Sequence, residues 1–395
     1  MCSSDLYPAK DESLLKEIPP SMKVFRSKIF EPYSLYRKLT GKPANAAVDV
    51  ENIPQTGKRR SIPEMIASFI RSTFFIPDAR IGWYPYAVKE GLRIIEEERI
   101  DALYSSSPPY TTAMIAKALH RKSGVKWIAG FRDPWTGFLS TPDRWFLPHR
   151  IDQQFERDVF EQANYIEAAW KGIILDVCKK FPNIGVRKFF HLPNGFDSDD
   201  YPQTKENRTY RFTITYTGSM YGVRNPRTLL QAFYELVVEG KIQKEKIQIK
   251  FIGRFGLEVR EMIAKSIVSS SIEVKPYIPH TESIVELMKS DVLLLVVDET
   301  VDSNEIVPGK VFEYIGAKKP ILALAPKGAI EDIIKETRSG IVVANQDVQG
   351  IKEAIMILYK KYCDNEQLTT PDNEVIRKYE RKEITRQLSE LLNSL

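Results

Sequence analysis

Glu305 and Glu313 bracket Pro308-Gly309-Lys310 in the stretch NEIVPGKVFEYIGAKKPILALA, with seven residues between the two carboxylates. Pro308-Gly309 breaks the preceding segment. Val311, Phe312 and Ile315 then recur at helical spacing, which predicts a helix from Lys310 to Ala317 followed by a buried strand at Ile321-Leu322-Ala323-Leu324. Free backbone N–H groups and the helix dipole favour negative charge at such a start, and the Gly-Lys pair adds flexibility and a cation. Glu313, one turn in, is suited to accept two hydrogen bonds from a vicinal diol such as a ribose. Phosphate and ribose are the two parts that every nucleotide offers. Two glutamates at this spacing also occur by chance on ordinary surface helices, so the elements around them have to decide.

The chain has 395 residues, 43% hydrophobic and 28% charged, as expected of a globular protein with two domains that each bury a core. No apolar run approaches the length of a transmembrane helix, and the N-terminal MCSSDLYPAKDESLLKE lacks a signal-peptide pattern. Cys2, Cys178 and Cys363 are few and widely spaced, which fits a reducing compartment and gives neither a disulfide framework nor a zinc site. A cytoplasmic location is expected. The net charge of +5 favours anionic ligands or an anionic membrane surface and argues little for nucleic acid.

From residue 100 onward strands and helices alternate. Strands are predicted at 100–105, 125–130, 165–169 and 188–192, with helices at 110–120, 150–162 and 171–181 between them. Polar insertions follow the strands: SSSPP after the first, FRDPW after the second, PNGFD after the last. Repeated βα units imply a parallel sheet that binds ligands at the carboxyl ends of its strands. Residues 197–208 read as a linker. A second alternation follows, with strands at 212–217, 247–252, 272–274, 292–297, 321–324 and 341–343. The end, 373–395, reads as one charged amphipathic helix. The domains are therefore placed at 1–200 and 201–365, with 366–395 as a terminal helical segment.

Before residue 100 the pattern is less regular. Met22 to Arg26 reads as a short strand, and about one βαβ unit is expected to be missing from the start of the first domain. SIPEMIASFIRSTFF, Ser61 to Phe75, opens with a capping box of Ser61 and Glu64. Its apolar residues Ile62, Met65, Ile66, Phe69 and Ile70 share a face, with Lys58, Arg59, Arg60 and Arg71 nearby. Such a helix packs on its own domain or lies on a membrane surface.

Two αβ domains, NGFD before the linker, YTGSMYG opening the second domain, and Glu305 with Glu313 together resemble the GT-B fold glycosyltransferases, above all the retaining family 4 enzymes. The resemblance spans roughly residues 100–395. It implies two Rossmann-like doubly wound domains facing a central cleft, with the terminal helix crossing back to the first. The implied reaction is transfer of a sugar from a uridine- or guanosine-linked donor to a glycan or lipid-linked acceptor, in cell-surface polysaccharide synthesis. No cofactor or metal is implied. Gly218 and Ser219 would bring backbone close to the donor diphosphate, Arg224 and Lys310 would hold its charge, and the backbone at Gly309 would lie against it. Arg227 and Arg254 are alternatives to Arg224, because the loop reads Tyr221-Gly222-Val223-Arg224 in place of the family's usual Arg…Lys-Gly. Glu313 would bind the ribose and Glu305 the transferred sugar. Asp133 stands where family members often place a His, as a partner for the sugar or the acceptor hydroxyl.

Asp197-Ser198-Asp199 is a literal Asp-x-Asp string, but its place in the linker suits a solvated turn better than a metal site. The four histidines show no ligand spacing. Two rival readings stay open at this level: a nucleotide-sugar 2-epimerase of the same fold, and a non-catalytic carbohydrate-binding or scaffold protein.

Overall fold

A computed structural model describes residues 18–30, 62–138, 141–202, 210–222, 224–297 and 307–395. Helices α1 (Ile62–Phe74) and α2 (Tyr84–Glu97) lead into the first sheet. There, β1 (Ala102–Ser107), α3 (Thr111–Ser123), β2 (Lys126–Phe131), α4 (Phe146–Gln162), β3 (Tyr165–Ala168), α5 (Lys171–Lys180) and β4 (Phe189–His191) alternate along the chain. All pairs are parallel in the order β1-β2-β3-β4, so each strand adds beside its predecessor. Gly124, with φ of 76°, closes α3 in the left-handed conformation that an unbranched backbone tolerates best. Trp127, Phe131, Trp135 and Phe160 fill the core between sheet and helices.

The second sheet begins with β5 (Phe212–Thr217) and α6 (Arg227–Val238), then β6 (Ile247–Ile252), α7 (Leu257–Ala264), β7 (Ile272–Lys275), α8 (His280–Met288) and β8 (Val292–Val296). After it come α9 (Lys310–Gly316), β9 (Ile321–Leu324), α10 (Ala329–Thr337), β10 (Gly340–Val343) and α11 (Val348–Cys363). Its parallel order is β10-β9-β8-β5-β6-β7. FTITYT of β5 and VLLLV of β8 are buried at every position, as central strands of a sheet covered on both faces must be. One face packs Phe212, Tyr216 and Phe251 against α6, which contributes Phe233, and α11. The other packs Leu293, Leu295, Val311, Phe312 and Ile315. Each such fully buried side chain contributes about 1.5–3 kcal/mol.

Two local expectations fail. Met22 to Arg26 forms no strand, because this extended segment lies along α2 instead of beside another strand. Lys23 pairs with Glu98, the Arg93 guanidinium lies 6.0 Å from the Phe25 ring centre, and Trp83 Nε1 donates to Ser27 Oγ. The end of the chain is two helices, α12 (Asn373–Arg377) and α13 (Arg381–Asn393). The break falls where Phe196 N donates to Tyr379 O at 3.1 Å and Arg381 N donates to Phe196 O at 2.8 Å, a strand-like pairing that a continuous helix could not make. Beyond it, Gln387 and Leu391 of α13 face Phe190 of β4 and Leu192 just after it across a shared cavity. Ser61 of the expected capping box lies outside the described residues.

Candidate functional site

The order of the second sheet reverses at β5. The next strand along the chain, β6, lies on one side and β8 on the other, leaving a crevice at their carboxyl ends where such sheets bind ligands. Gly218 and Ser219 follow β5, and α9 is the helix that follows β8. Lys310 Nζ lies 2.9 Å from both the Tyr216 hydroxyl and the Thr217 carbonyl, 4.2 Å from the Tyr216 ring centre. The ring face and both oxygens attract the cation. The Tyr216 hydroxyl accepts from Lys310 and donates to Ser219 O at 2.7 Å, so one chain of hydrogen bonds fixes the lysine and the turn together.

Gly218 is favoured there by its backbone, and it leaves room for Lys310. Its φ of 115° is costly for any other residue, and a Cβ would stand 2.7 Å from Lys310 Nζ. Lys310 thus lies against Gly218 and is linked to Ser219 through the Tyr216 hydroxyl, with Gly309 exposed at the start of α9. Arg224 is half-exposed in the same loop, its N–H donating to Tyr221 O at 3.2 Å. Of the alternatives, Arg254 has its guanidinium 5.3 Å from the Tyr277 ring centre, and Arg227 is the exposed first residue of α6.

Glu313 sits one turn into α9, its side chain 31% exposed, with Oε1 at 3.5 Å from His280 Nε2 at the start of α8. Its backbone carbonyl accepts from the Tyr201 hydroxyl at 2.8 Å. The hydrogen bond to Glu313 raises the His280 pKa, against the opposing effect of burial. The histidine count gave no hint of this residue, because its partner is distant in sequence. Glu305 lies outside the described residues.

Asp133 belongs to the first sheet, in the loop after β2. Burial raises its pKa, and the neighbouring Arg132 guanidinium counters this only in part. Arg132 reaches away to Asn194 Oδ1 at 2.7 Å and Ser106 Oγ at 3.3 Å, joining the end of β1 to the loops after β2 and β4. Nearby, the Tyr104 hydroxyl donates to the buried Glu167 carboxylate at 2.7 Å, and burial raises the pKa of both groups. The Asp197 string forms a turn at Ser198–Asp200, in which the Asp197 carboxylate accepts from Asp199 N.

Residues 211–361 match the family described as glycosyl transferases group 1. Comparison with curated proteins gave no match. Among solved structures, the chain is similar to HepE of Anabaena, determined in complex with UDP and glucose, with a TM-score of 0.57 at 13% identity over 78% of this chain and 81% of that one. Sucrose-phosphate synthase of Thermosynechococcus elongatus gives 0.58 at 13% identity over 80% and 78%. A UDP-forming α,α-trehalose-phosphate synthase of Burkholderia xenovorans, in complex with glucose-6-phosphate, gives 0.56 at 13% identity over 79% and 78%. At these identities the likeness establishes a shared fold. The chain has the GT-B fold, and its residues 211–361 match the group 1 glycosyltransferase family model.

Proposed function

We propose that this protein transfers a sugar, with retention of configuration, from a nucleotide-sugar donor to a glycan or lipid-linked acceptor, in the synthesis of a cell-surface polysaccharide. The observation that carries the reading is Lys310 seated over Gly218 at the switch point of the second sheet, with Glu313 one turn further along α9. Lys310 and Arg224 bind the diphosphate, the backbone at Gly218, Ser219 and Gly309 approaches it, and Glu313 accepts from the ribose hydroxyls. Glu305 contacts the transferred sugar. Catalysis then comes from holding the leaving nucleoside diphosphate in a fixed positive field while the glycosidic bond breaks. The departing phosphate accepts the acceptor's proton, so no strong protein base and no metal is needed. Asp133, a half-buried carboxylate of raised pKa, hydrogen-bonds the transferred sugar or the acceptor hydroxyl. The UDP and glucose held by HepE support a uridine-linked donor.

α1 supports a lipid-linked acceptor at the inner face of a membrane. Met65, Ile66 and Phe69 share a face and are each more than half exposed, with the exposed Arg71 two residues on. Apolar residues flanked by arginine suit the plane of an anionic bilayer surface. No described helix is long and apolar enough to cross a membrane.

Calorimetric titration of the protein with uridine, guanosine and adenosine diphosphates, with Glu313→Ala alongside, tests the donor site. One diphosphate is expected to bind selectively, and the substitution to cost about 1–3 kcal/mol of that affinity. Equal binding of wild type and variant would remove Glu313 from the site.

A further inference from the structure

The loop after β2, which carries Asp133, rests on two buried carboxylates of α4. Glu156 is fully buried, and its Oε1 accepts from Thr136 N at 3.3 Å and from Lys180 Nζ at 3.3 Å. Its Oε2 accepts from the Thr136 hydroxyl. Lys180, on α5, also donates to Thr136 O and, at 2.6 Å, to Asp176 Oδ2. One turn earlier on the same face of α4, Asp152 is 1% exposed. It accepts from Trp135 Nε1 at 2.9 Å and from Arg144 Nε at 2.8 Å. Arg144 in turn donates to the carbonyls of Ser72, Phe75 and Pro77, tying the end of α1 and the segment after it to the same point.

The rest of the loop is held as firmly. Arg132 N donates to Ser107 O at 2.8 Å and Trp170 Nε1 donates to Arg132 O at 3.1 Å. The Tyr110 hydroxyl donates to Pro134 O, and its ring stacks on Trp135 with centres 4.7 Å apart. Every residue from 132 to 136 except Asp133 is thus fastened by a hydrogen bond. Among the described residues, none is made to the Asp133 carboxylate.

Burying two carboxylates costs several kcal/mol each before pairing, and apolar residues at the same positions would give α4 an easier fit. A polar network that is fully satisfied instead fixes one arrangement of its loop. We propose that Glu156 and Asp152 are positioning residues that hold Asp133 at the carboxyl end of β2 in the geometry turnover requires. This rests on the role of Asp133 given above. Glu156 faces only donors and a cation, with Asp176 the one other acid beside it, and burial pushes its pKa up to about 7. Protonation removes an acceptor from this network and loosens the loop, so turnover should fall as pH drops through that value.

The test uses release of uridine diphosphate from UDP-glucose as the probe reaction, together with the indole N–H resonance of Trp135, identified through Trp135→Phe. Asp133→Asn should lower kcat about 100-fold. Glu156→Gln should lower kcat about tenfold or more with KM for the donor within about twofold, since a misplaced group costs rate and the donor is held by the other sheet. The acid limb near pH 7 should disappear in that variant. Thr136→Val, which keeps the backbone N–H, should lose less. In the wild type the Trp135 resonance should shift with a midpoint near the Glu156 pKa, and in Glu156→Gln it should not. This second readout needs no turnover. A Glu156→Gln protein with wild-type kcat and acid limb beside an impaired Asp133→Asn would overturn the positioning role. So would a Trp135 resonance indifferent to pH. Wild-type turnover in Asp133→Asn would instead remove Asp133 from the reaction, and this inference with it.

Discussion

The two sheets hold their key side chains by opposite means. In the second, Lys310 lies over a tyrosine ring and donates to that tyrosine's hydroxyl and to a main-chain carbonyl at the end of β5. In the first, Asp133 stands on a loop locked by ionised or ionisable groups taken out of water, Asp152 with Arg144 and Glu156 with Lys180. Hydroxyl and carbonyl dipoles orient a cation at small cost. Buried charges cost more and depend on pH. A site that binds a constant anionic group suits the first arrangement. A loop that must keep one geometry around a reacting hydroxyl suits the second.

The sharpest way to break this contrast is through pH. Burial raises the folded-state pKa of Glu156 to about 7 from an ordinary 4.5, so its favourable contribution is complete below the unfolded value and is lost as pH rises through the folded one. Thermal unfolding of the wild type and of Glu156→Gln between pH 4 and 8 should therefore show the wild type losing roughly 3 kcal/mol relative to the variant as pH rises. A difference that is flat with pH would mean that Glu156 is not strained by burial.

Next in size is Lys310→Ala, read by calorimetry with uridine diphosphate and with uridine. In the proposed role the lysine is a point charge for phosphate, so the diphosphate should lose about 1.5–3 kcal/mol and the nucleoside much less. An equal loss for both would count against that role, and the contacts of Lys310 with Tyr216 and Thr217 would then serve structure alone.

The smallest effect belongs to His280. Its pKa is raised by the hydrogen bond to Glu313, so the pairing stabilises the fold at pH below the ordinary histidine value and fades as pH rises through the folded one. His280→Gln should lower the melting temperature slightly at pH 5.5 and leave it unchanged at pH 9. A variant that melts like the wild type at both would show the two side chains to be uncoupled. Solvent screening keeps this effect small, since both groups are partly exposed.

Much of the second domain was legible in the sequence. The ranges read for β5, β6 and β9 coincide with those observed, because apolar, β-branched runs bounded by turn residues have few other solutions in a parallel sheet. Met22 to Arg26 has the composition of a strand, but among the described residues no strand pairs with it and it packs on α2. The terminal segment has the periodicity of one helix, and the backbone of Phe196 splits it. In IDQQFERD, Asp152 and Glu156 have the spacing of an exposed charged helix face, so nothing local marks them as buried.

The sequence by itself determined the alternation of strands and helices, the Gly-Lys-x-x-Glu order along α9, and the glycine after β5. Each is a matter of local backbone preference and of hydrophobic period. Only the tertiary structure decided that Lys310 rests on Tyr216, 94 residues earlier, that Glu313 meets His280, and that two acids of α4 hold the Asp133 loop. Those pairings follow from which face of each helix the sheet covers. That is settled by the packing of the whole chain, and no residue type or spacing records it.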